Sequence, residues 1–269
     1  MQKTILITGA TDGIGLETAR MLVAQGHHVL LHGRSEAKLK KVATELAALP
    51  GDGYVESYLA DLSRLDDVEV LADAVAKQHE RIDVLINNAG IFKTADPVTL
   101  DGLDVRFAVN TLAPYLLTRK LLPLLGSAGR VINLSSAAQA SVDLAALAGR
   151  VRLDDMPAYA QSKLAITIWS RSLARELGEN GPAVIAVNPG SLLASKMVKE
   201  GFGVAGSDLR IGADILFRAA LSDEFANASG QYFDNDAKRF GSPHADALDS
   251  QKCVKVVKVI ETVLAELTR

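Results

Sequence analysis

Thr4-Ile5-Leu6-Ile7-Thr8, running into Gly9-Ala10-Thr11-Asp12-Gly13-Ile14-Gly15, is the stretch that decides the fold. The first five residues are apolar or β-branched, the pattern of a short buried strand. Leu16, Ala19, Leu22 and Val23 then recur at helical spacing, and Gly26 supplies a stop. Between strand and helix stand Gly9, Gly13 and Gly15. Glycine lets a backbone turn tightly and approach a pyrophosphate without a Cβ clash. The helix beyond offers free N–H groups and the positive end of its dipole. The stretch therefore predicts an α/β fold that holds a dinucleotide at its first turn.

The rest of the chain repeats this unit. Short apolar runs at 28–32, 55–59, 84–86, 129–134 and 183–187 alternate with helical patterns at 36–49, 65–79, 114–125, 157–177 and 208–220. A short strand at 231–233 and a helix over 251–267 follow. Such alternation predicts a parallel sheet with helices on both faces. No linker, repeat or composition shift interrupts it, so residues 1–269 read as one domain. Ligands in open α/β sheets sit at the carboxyl ends of the strands. The two least regular connections, 137–156 and 191–207, follow such ends and are the expected substrate walls. The second carries Leu192, Leu193, Met197, Val198, Phe202 and Val204, which suits a lid over a fairly hydrophobic ketone, aldehyde or alcohol.

Charge and composition narrow the partners. The 269 residues are 48% hydrophobic with a net charge of −3 and no basic block. Electrostatics thus give no reason to expect nucleic acid or anionic lipid. The single cysteine, Cys253, allows no intrachain disulfide and suits a reducing cytoplasm. It falls in an amphipathic pattern with Val254, Val257 and Ile260, which points to core or interface rather than a nucleophile. No run approaches the ~18 apolar residues of a membrane span, and the first apolar segment is too short for a signal peptide. His79 and His244 have no motif partner and are expected at the surface; no Cys/His cluster suggests a metal.

Two further positions carry chemistry. Tyr159 and Lys163 stand four residues apart, on one face if the segment is helical. An ammonium one turn away favours the phenolate and lowers a phenol pKa from about 10. A tyrosine so tuned can give or take a proton near neutral pH. At the end of the second strand an acidic residue would bond the ribose 2′-hydroxyl of NAD, but this chain has Arg34. A guanidinium suits the dianionic 2′-phosphate of NADP, so NADP is the preferred cofactor and NAD a possible one. Asp12 would repel a phosphate in the glycine turn unless its side chain caps the helix instead.

With Gly9/Gly13/Gly15, Asn87-Asn88-Ala89-Gly90, Asn110, Ser135-Ser136 and Tyr159/Lys163 in this order, the chain resembles the short-chain dehydrogenases/reductases over nearly its whole length. The resemblance implies a single-domain, Rossmann-like, doubly wound sheet of about seven strands. It implies that Tyr159 is the acid/base and that Lys163 tunes it and holds the nicotinamide ribose. Ser136 would then bond the substrate oxygen, and Asn110 would hold a water in a proton relay to the lysine. Ser135 competes with Ser136, but the family pattern Asn-x-Ser-Ser, matched by Asn133 to Ser136, puts the catalytic serine second. The same resemblance assigns cofactor contacts to Thr11, Asp12 and Ile14 in the first turn. It adds Asp61 and Leu62 at the adenine, Asn88, Ala89 and Gly90 near its ribose, and Pro189, Gly190 and Leu192 beside the nicotinamide.

The chain also departs from the family pattern. Ala194 stands where a threonine is usual, with Ser195 next as a substitute. The connection 137–156, with Asp143, Arg150, Arg152, Asp154 and Asp155, is longer than usual and is expected to border the substrate mouth. That length, Ala158-Tyr159, Ser162-Lys163-Leu164-Ala165 and Leu173-Ala174-Arg175-Glu176-Leu177 are similar to the retinol-dehydrogenase-like branch. The family further implies a homodimer or homotetramer built on helices flanking the Tyr/Lys helix. A non-catalytic NADP-binding regulator would be expected to lose Tyr, Lys or Ser, and all three are present. An epimerase or dehydratase using the same pair is the alternative chemistry.

Overall fold

Strands β1 (Thr4–Ile7), β2 (His28–Gly33), β4 (Ile82–Asn87) and β6 (Ala183–Asn188) are buried at nearly every position, as an unbroken apolar run requires. In this computed structural model residues 1–194, 197, 199, 203 and 205–268 are described. The sheet order is β3-β2-β1-β4-β5-β6-β7-β8, with β3 at Tyr54–Leu59, β5 at Leu125–Leu134, β7 at Tyr232–Asp234 and β8 at Arg239–Gly241. All neighbours are parallel except β7 and β8. The antiparallel β8 is the eighth strand, beyond the seven expected. The order reverses between β1 and β4, which opens a crevice at their carboxyl ends.

Alternate residues of each strand feed two cores. Leu6, Leu30, Leu85, Val131 and Val184 face α3 (Leu65–Gln78), α5 (Ala113–Leu121), α7 (Asp155–Leu177) and α9 (Ser250–Leu267). Ile5, Val29, Val84, Ile132 and Ile185 face α1 (Gly13–Ala24), α2 (Glu36–Ala47) and α8 (Leu209–Leu221). The result is one three-layer α/β domain. Among the described residues no helix is long and apolar enough to cross a membrane.

Three features bear on the site. Short helix α4 (Val105–Phe107) widens into a π-helical turn, Ala108–Leu112, before α5. Pro114 has no N–H to return to the carbonyl of Asn110 four residues back, a local reason for the irregular turn. Second, the 137–156 connection folds onto the body through helix α6 (Leu144–Leu147), capped by Asp143 and buried at Ala146 and Leu147. Third, α9 turns Cys253, Val256, Ile260 and Leu264 into the core beside Trp169, while Val254 faces solvent. Tyr115 on α5 donates to Glu261 on α9 at 2.8 Å. Ala113 to Thr118 are all buried, and α5 turns Arg119 and Lys120 toward solvent.

Candidate active site

The glycine turn is built as close approach demands. Gly9 and Gly13 have φ of 67° and 57°. A Cβ on Gly15 would lie 2.3 Å from the Gly9 carbonyl oxygen and 2.4 Å from Asn88 Nδ2. The same Asn88 Nδ2 donates to the carbonyls of Thr8 (2.8 Å) and Gly9 (3.1 Å), tying the turn to the end of β4. Asp12 does cap the helix: its Oδ1 accepts from Gly13 N at 2.8 Å, and its Oδ2 lies 3.7 Å from Lys38 Nζ. The first helical bond is Leu16 N to Asp12 O, leaving the amides of Ile14 and Gly15 open at the turn. Buried His32, which the sequence reading passed over, accepts from Gly9 N at Nδ1 (3.2 Å) and donates from Nε2 to Ala60 O (3.1 Å). Burial pushes its pKa from 6.5 down to about 4, so the neutral ring joins the ends of β1, β2 and β3.

At the adenosine end, Arg34 is exposed and has no hydrogen-bond or ion-pair partner among the described residues. Lys38, one helical turn on, lines the same cleft. Asp61 Oδ1 accepts from Ser63 N (3.0 Å) and Ser63 Oγ (2.8 Å), so part of this carboxylate is spent on the turn before α3. Leu62 is buried beside it.

Around Tyr159 the candidate groups converge. The Tyr159 and Ser136 side chains line the same part of the cleft, near enough for the serine hydroxyl to favour the phenolate. Ser136 is held by its surroundings: its carbonyl accepts from Gln139 Nε2 (2.8 Å) and Tyr232 OH (3.2 Å), and its Oγ from Ala138 N (3.1 Å). Ser135 and Ser136 both line the cleft, but Ser135 is buried and paired with Thr167 Oγ1 at 2.6 Å. Lys163 is 4% exposed, donates to Leu134 O at 2.8 Å, and places Nζ 5.8 Å from the Tyr159 ring centre. Gly90 lies against both Asn110 and Lys163: a Cβ there would meet Asn110 Oδ1 at 3.4 Å and Lys163 Nζ at 3.5 Å, ordinary contact distances.

Asn110 stands behind the cleft wall. Its Oδ1 accepts from Ile91 N (2.8 Å), and its Nδ2 donates to Ile91 O (3.0 Å) and Ser162 Oγ (3.0 Å). The side chain therefore clamps the loop after β4 and ties it to α7 through Ser162.

Burial sets the protonation of the pair. It raises the Tyr159 pKa, with the Ser136 hydroxyl pulling the other way. It lowers Lys163 from 10.5 to about 8. The expected pull of Lys163 on the phenol is not what dominates here; desolvation of both groups outweighs it.

Several positioning residues were not legible in the sequence. Buried Arg106 forks onto Asp104 (Nε to Oδ1, 2.8 Å; Nη2 to Oδ2, 2.7 Å) and bonds Asp155 with Nη1. Asp155 begins α7, so this link fixes the helix that carries Tyr159. Phe92 packs on the Tyr159 ring, centroids 5.1 Å apart. Asp236 accepts from Ser191 N (2.8 Å) and Oγ (2.6 Å), and Asn235 Nδ2 donates to Pro189 O (2.8 Å). These bonds hold the turn at Pro189-Gly190, where Gly190 has φ 117°.

Every residue named above for the cofactor lines one cleft of about 1120 Å³, together with Ser136. Its substrate end is apolar, with Phe92, Met156, Leu192, Leu193 and Met197. Of the long 137–156 connection only Ala137, Ala138 and Met156 reach it, so the middle of that connection does not border the mouth as expected. Leu193 and Ser207 form a bridge at the base of the second wall. Bonds from Ala194 N to Ser207 O (2.7 Å) and from Ser207 N to Leu192 O (2.8 Å) pinch its base shut. Ser195, Val198, Phe202 and Val204 lie outside the described residues.

The sequence profile of the short chain dehydrogenase family matches residues 3–203. Retinol dehydrogenase 13 of Homo sapiens is 32% identical over 270 aligned positions, covering 91% of this chain and 80% of that protein. Among solved structures, an uncharacterised protein from Mycobacterium paratuberculosis superposes with a TM-score of 0.80 at 28% identity, over 98% of this chain and 94% of that one. A short chain dehydrogenase from Burkholderia cenocepacia, in complex with NADP, gives a TM-score of 0.67 at 27% identity, over 87% and 95%.

Proposed function

The chain belongs to the short-chain dehydrogenase family, in its retinol-dehydrogenase-like branch, and on that premise we propose an NADP-dependent enzyme that interconverts a carbonyl compound and its alcohol. The observation that carries this reading is the convergence of Ser136, Tyr159 and buried Lys163 on one cleft, with Lys163 Nζ 5.8 Å from the Tyr159 ring centre. When bound, the nicotinamide supplies or accepts hydride at the substrate carbon. Ser136 Oγ donates to the substrate oxygen and stabilises the charge that develops there. The Tyr159 hydroxyl gives that oxygen its proton in reduction and takes it back in oxidation. Lys163 holds positive charge beside the phenol, and Asn110, clamped to Ile91 behind the cleft wall, would seat the water of a proton relay to the lysine. The apolar lining from Phe92 to Met197 favours a fairly hydrophobic substrate. The single cysteine is consistent with a cytoplasmic site of action.

NADP over NAD rests on Arg34 and Lys38, two cations at the end of β2 with no acid in the place of the NAD-reading carboxylate. The cofactor in the Burkholderia relative supports it. Arg34→Ala is expected to weaken NADPH binding roughly 10- to 100-fold, the worth of a charge-assisted contact, and NADH far less. Equal losses for both in titrations would mean that Arg34 does not read the 2′-phosphate. The activity itself is tested with NADPH against a panel of apolar aldehydes and ketones, expecting one NADPH consumed per alcohol formed. Tight NADPH binding with no turnover across the panel would favour a regulator, and substrate isomerised without net NADPH loss would favour an epimerase.

A further inference from the structure

At the opposite end of the sheet from the cleft, three elements bring unlike side chains to one point. His28 opens β2, Glu56 lies on β3, and His79 closes α3. His28 Nε2 lies 3.0 Å from Glu56 Oε1, and His79 Nε2 lies 3.1 Å from Glu56 Oε2. One donor atom from each of the three falls within 4.8 Å of the others. His28 is 3% exposed, yet its Nε2 makes no hydrogen bond of acceptable geometry despite its nearness to the carboxylate. A buried, unsatisfied imidazole nitrogen is unfavourable and calls for a partner. His79, expected at the surface, is instead mostly buried, with 12% of its side chain exposed.

We propose that His28, Glu56 and His79 form a binding site for a divalent transition-metal ion, zinc foremost. Two imidazole nitrogens and one carboxylate are a donor set for zinc or its borderline-soft neighbours, whereas magnesium and calcium prefer all-oxygen sites. Zinc–ligand bonds of about 2.1 Å place tetrahedral donors ~3.4 Å apart, so the observed spacings need only small side-chain rotations. The ion would satisfy the orphaned His28 nitrogen. The ligands are also held from behind. Tyr54 stacks on the His28 ring at 3.8 Å, and the Tyr58 hydroxyl bonds Glu56 Oε2 (3.1 Å) and Gln78 Oε1 (2.7 Å), while its 3.0 Å contact with His79 Nε2 would give way to the ion. Such outer contacts orient metal ligands. The Glu56 side chain is 35% exposed, which gives the ion an entry path and leaves its remaining position for water. A bound ion would staple edge strand β3 to β2 and α3.

The test uses the full chain after chelator treatment, titrated with zinc chloride by calorimetry and followed by thermal unfolding. One zinc per chain and a zinc-dependent rise in Tm, absent with magnesium, are expected. Glu56→Gln and His79→Ala should each weaken zinc at least about 100-fold, beyond the usual loss from an outer contact, and remove the Tm rise. No zinc-dependent rise in the parent protein, or binding unchanged in both variants, would overturn the proposal. X-ray absorption on the zinc-loaded parent needs no variant. A shell with two imidazoles and oxygen supports the site, and sulfur from Cys253 or oxygen alone refutes it.

Discussion

Tyr159→Phe is expected to lower kcat about 100- to 10,000-fold, the range for loss of a positioned acid/base, while NADPH affinity and Tm stay close to the parent's. The ring is retained, so its packing on Phe92 at 5.1 Å survives. What disappears is one hydroxyl, and with it the proton that the cleft presents beside Ser136. Because burial holds the phenol above its ordinary pKa, Tyr159 keeps its proton at neutral pH in the unliganded protein and is ready to act as an acid. Reduction should therefore suffer at least as much as oxidation. Steady-state kinetics in both directions, with NADPH binding measured on the same preparation, check this. Parent-like rates in the variant would remove Tyr159 from the mechanism. A loss confined to KM would make it a binding group only.

The residues that were legible share a physical trait: their role is set by local backbone geometry. Gly9, Gly13 and Gly15 could be read because a turn that tight admits no Cβ. Strands β1, β2, β4 and β6 could be read because strands buried on both faces leave nearly unbroken apolar runs. Tyr159 and Lys163 could be read because helical spacing puts them on one face. What stayed hidden depends on contacts far apart in sequence. Arg106 reaches Asp155 across 49 positions, and Arg106 alone looks like any surface arginine. His32 follows an apolar run at the end of β2, and only the meeting of three strand ends shows why its ring is there. Asp236 lies far from Ser191 in the chain and beside it in the fold. Short β8 and the placement of α9 over α5 are likewise tertiary facts with little local signature.

The Tyr/Lys pair shows where a local argument can have the right residues and the wrong dominant force. Read as two charges a helical turn apart, they should shift each other toward ionisation. Packed into the cleft floor, both lose water, and desolvation moves the phenol up and the ammonium down. Lys163 has one bond to show for its burial, to Leu134 O. A lysine placed this way is poorly explained as a stabilising residue, which makes it a test of whether the site is kept for function.

Lys163→Met should abolish most activity, by about 100-fold or more as for other lost electrostatic groups, and should also change stability in a pH-dependent way. An unfolded lysine holds its proton to 10.5, whereas folded Lys163 releases it near 8. Between those values the unfolded chain binds more protons, so stability rises with pH through that window. Below pH 8 the full penalty applies, about 3 kcal/mol for a drop from 10.5 to about 8. Methionine keeps the volume without the charge and escapes this penalty. It also forfeits the bond to Leu134 O, a pH-independent loss of about 1–3 kcal/mol. The variant's stability relative to the parent should therefore be greatest at pH 7 and should fall by about 3 kcal/mol as pH rises to 10.5. Denaturant unfolding of both proteins across pH 7–10.5 measures this difference directly. A constant difference would mean that Lys163 is not destabilised by burial. A falling difference together with lost turnover would identify a charge that the fold tolerates at neutral pH because the proton transfer at Tyr159 requires it.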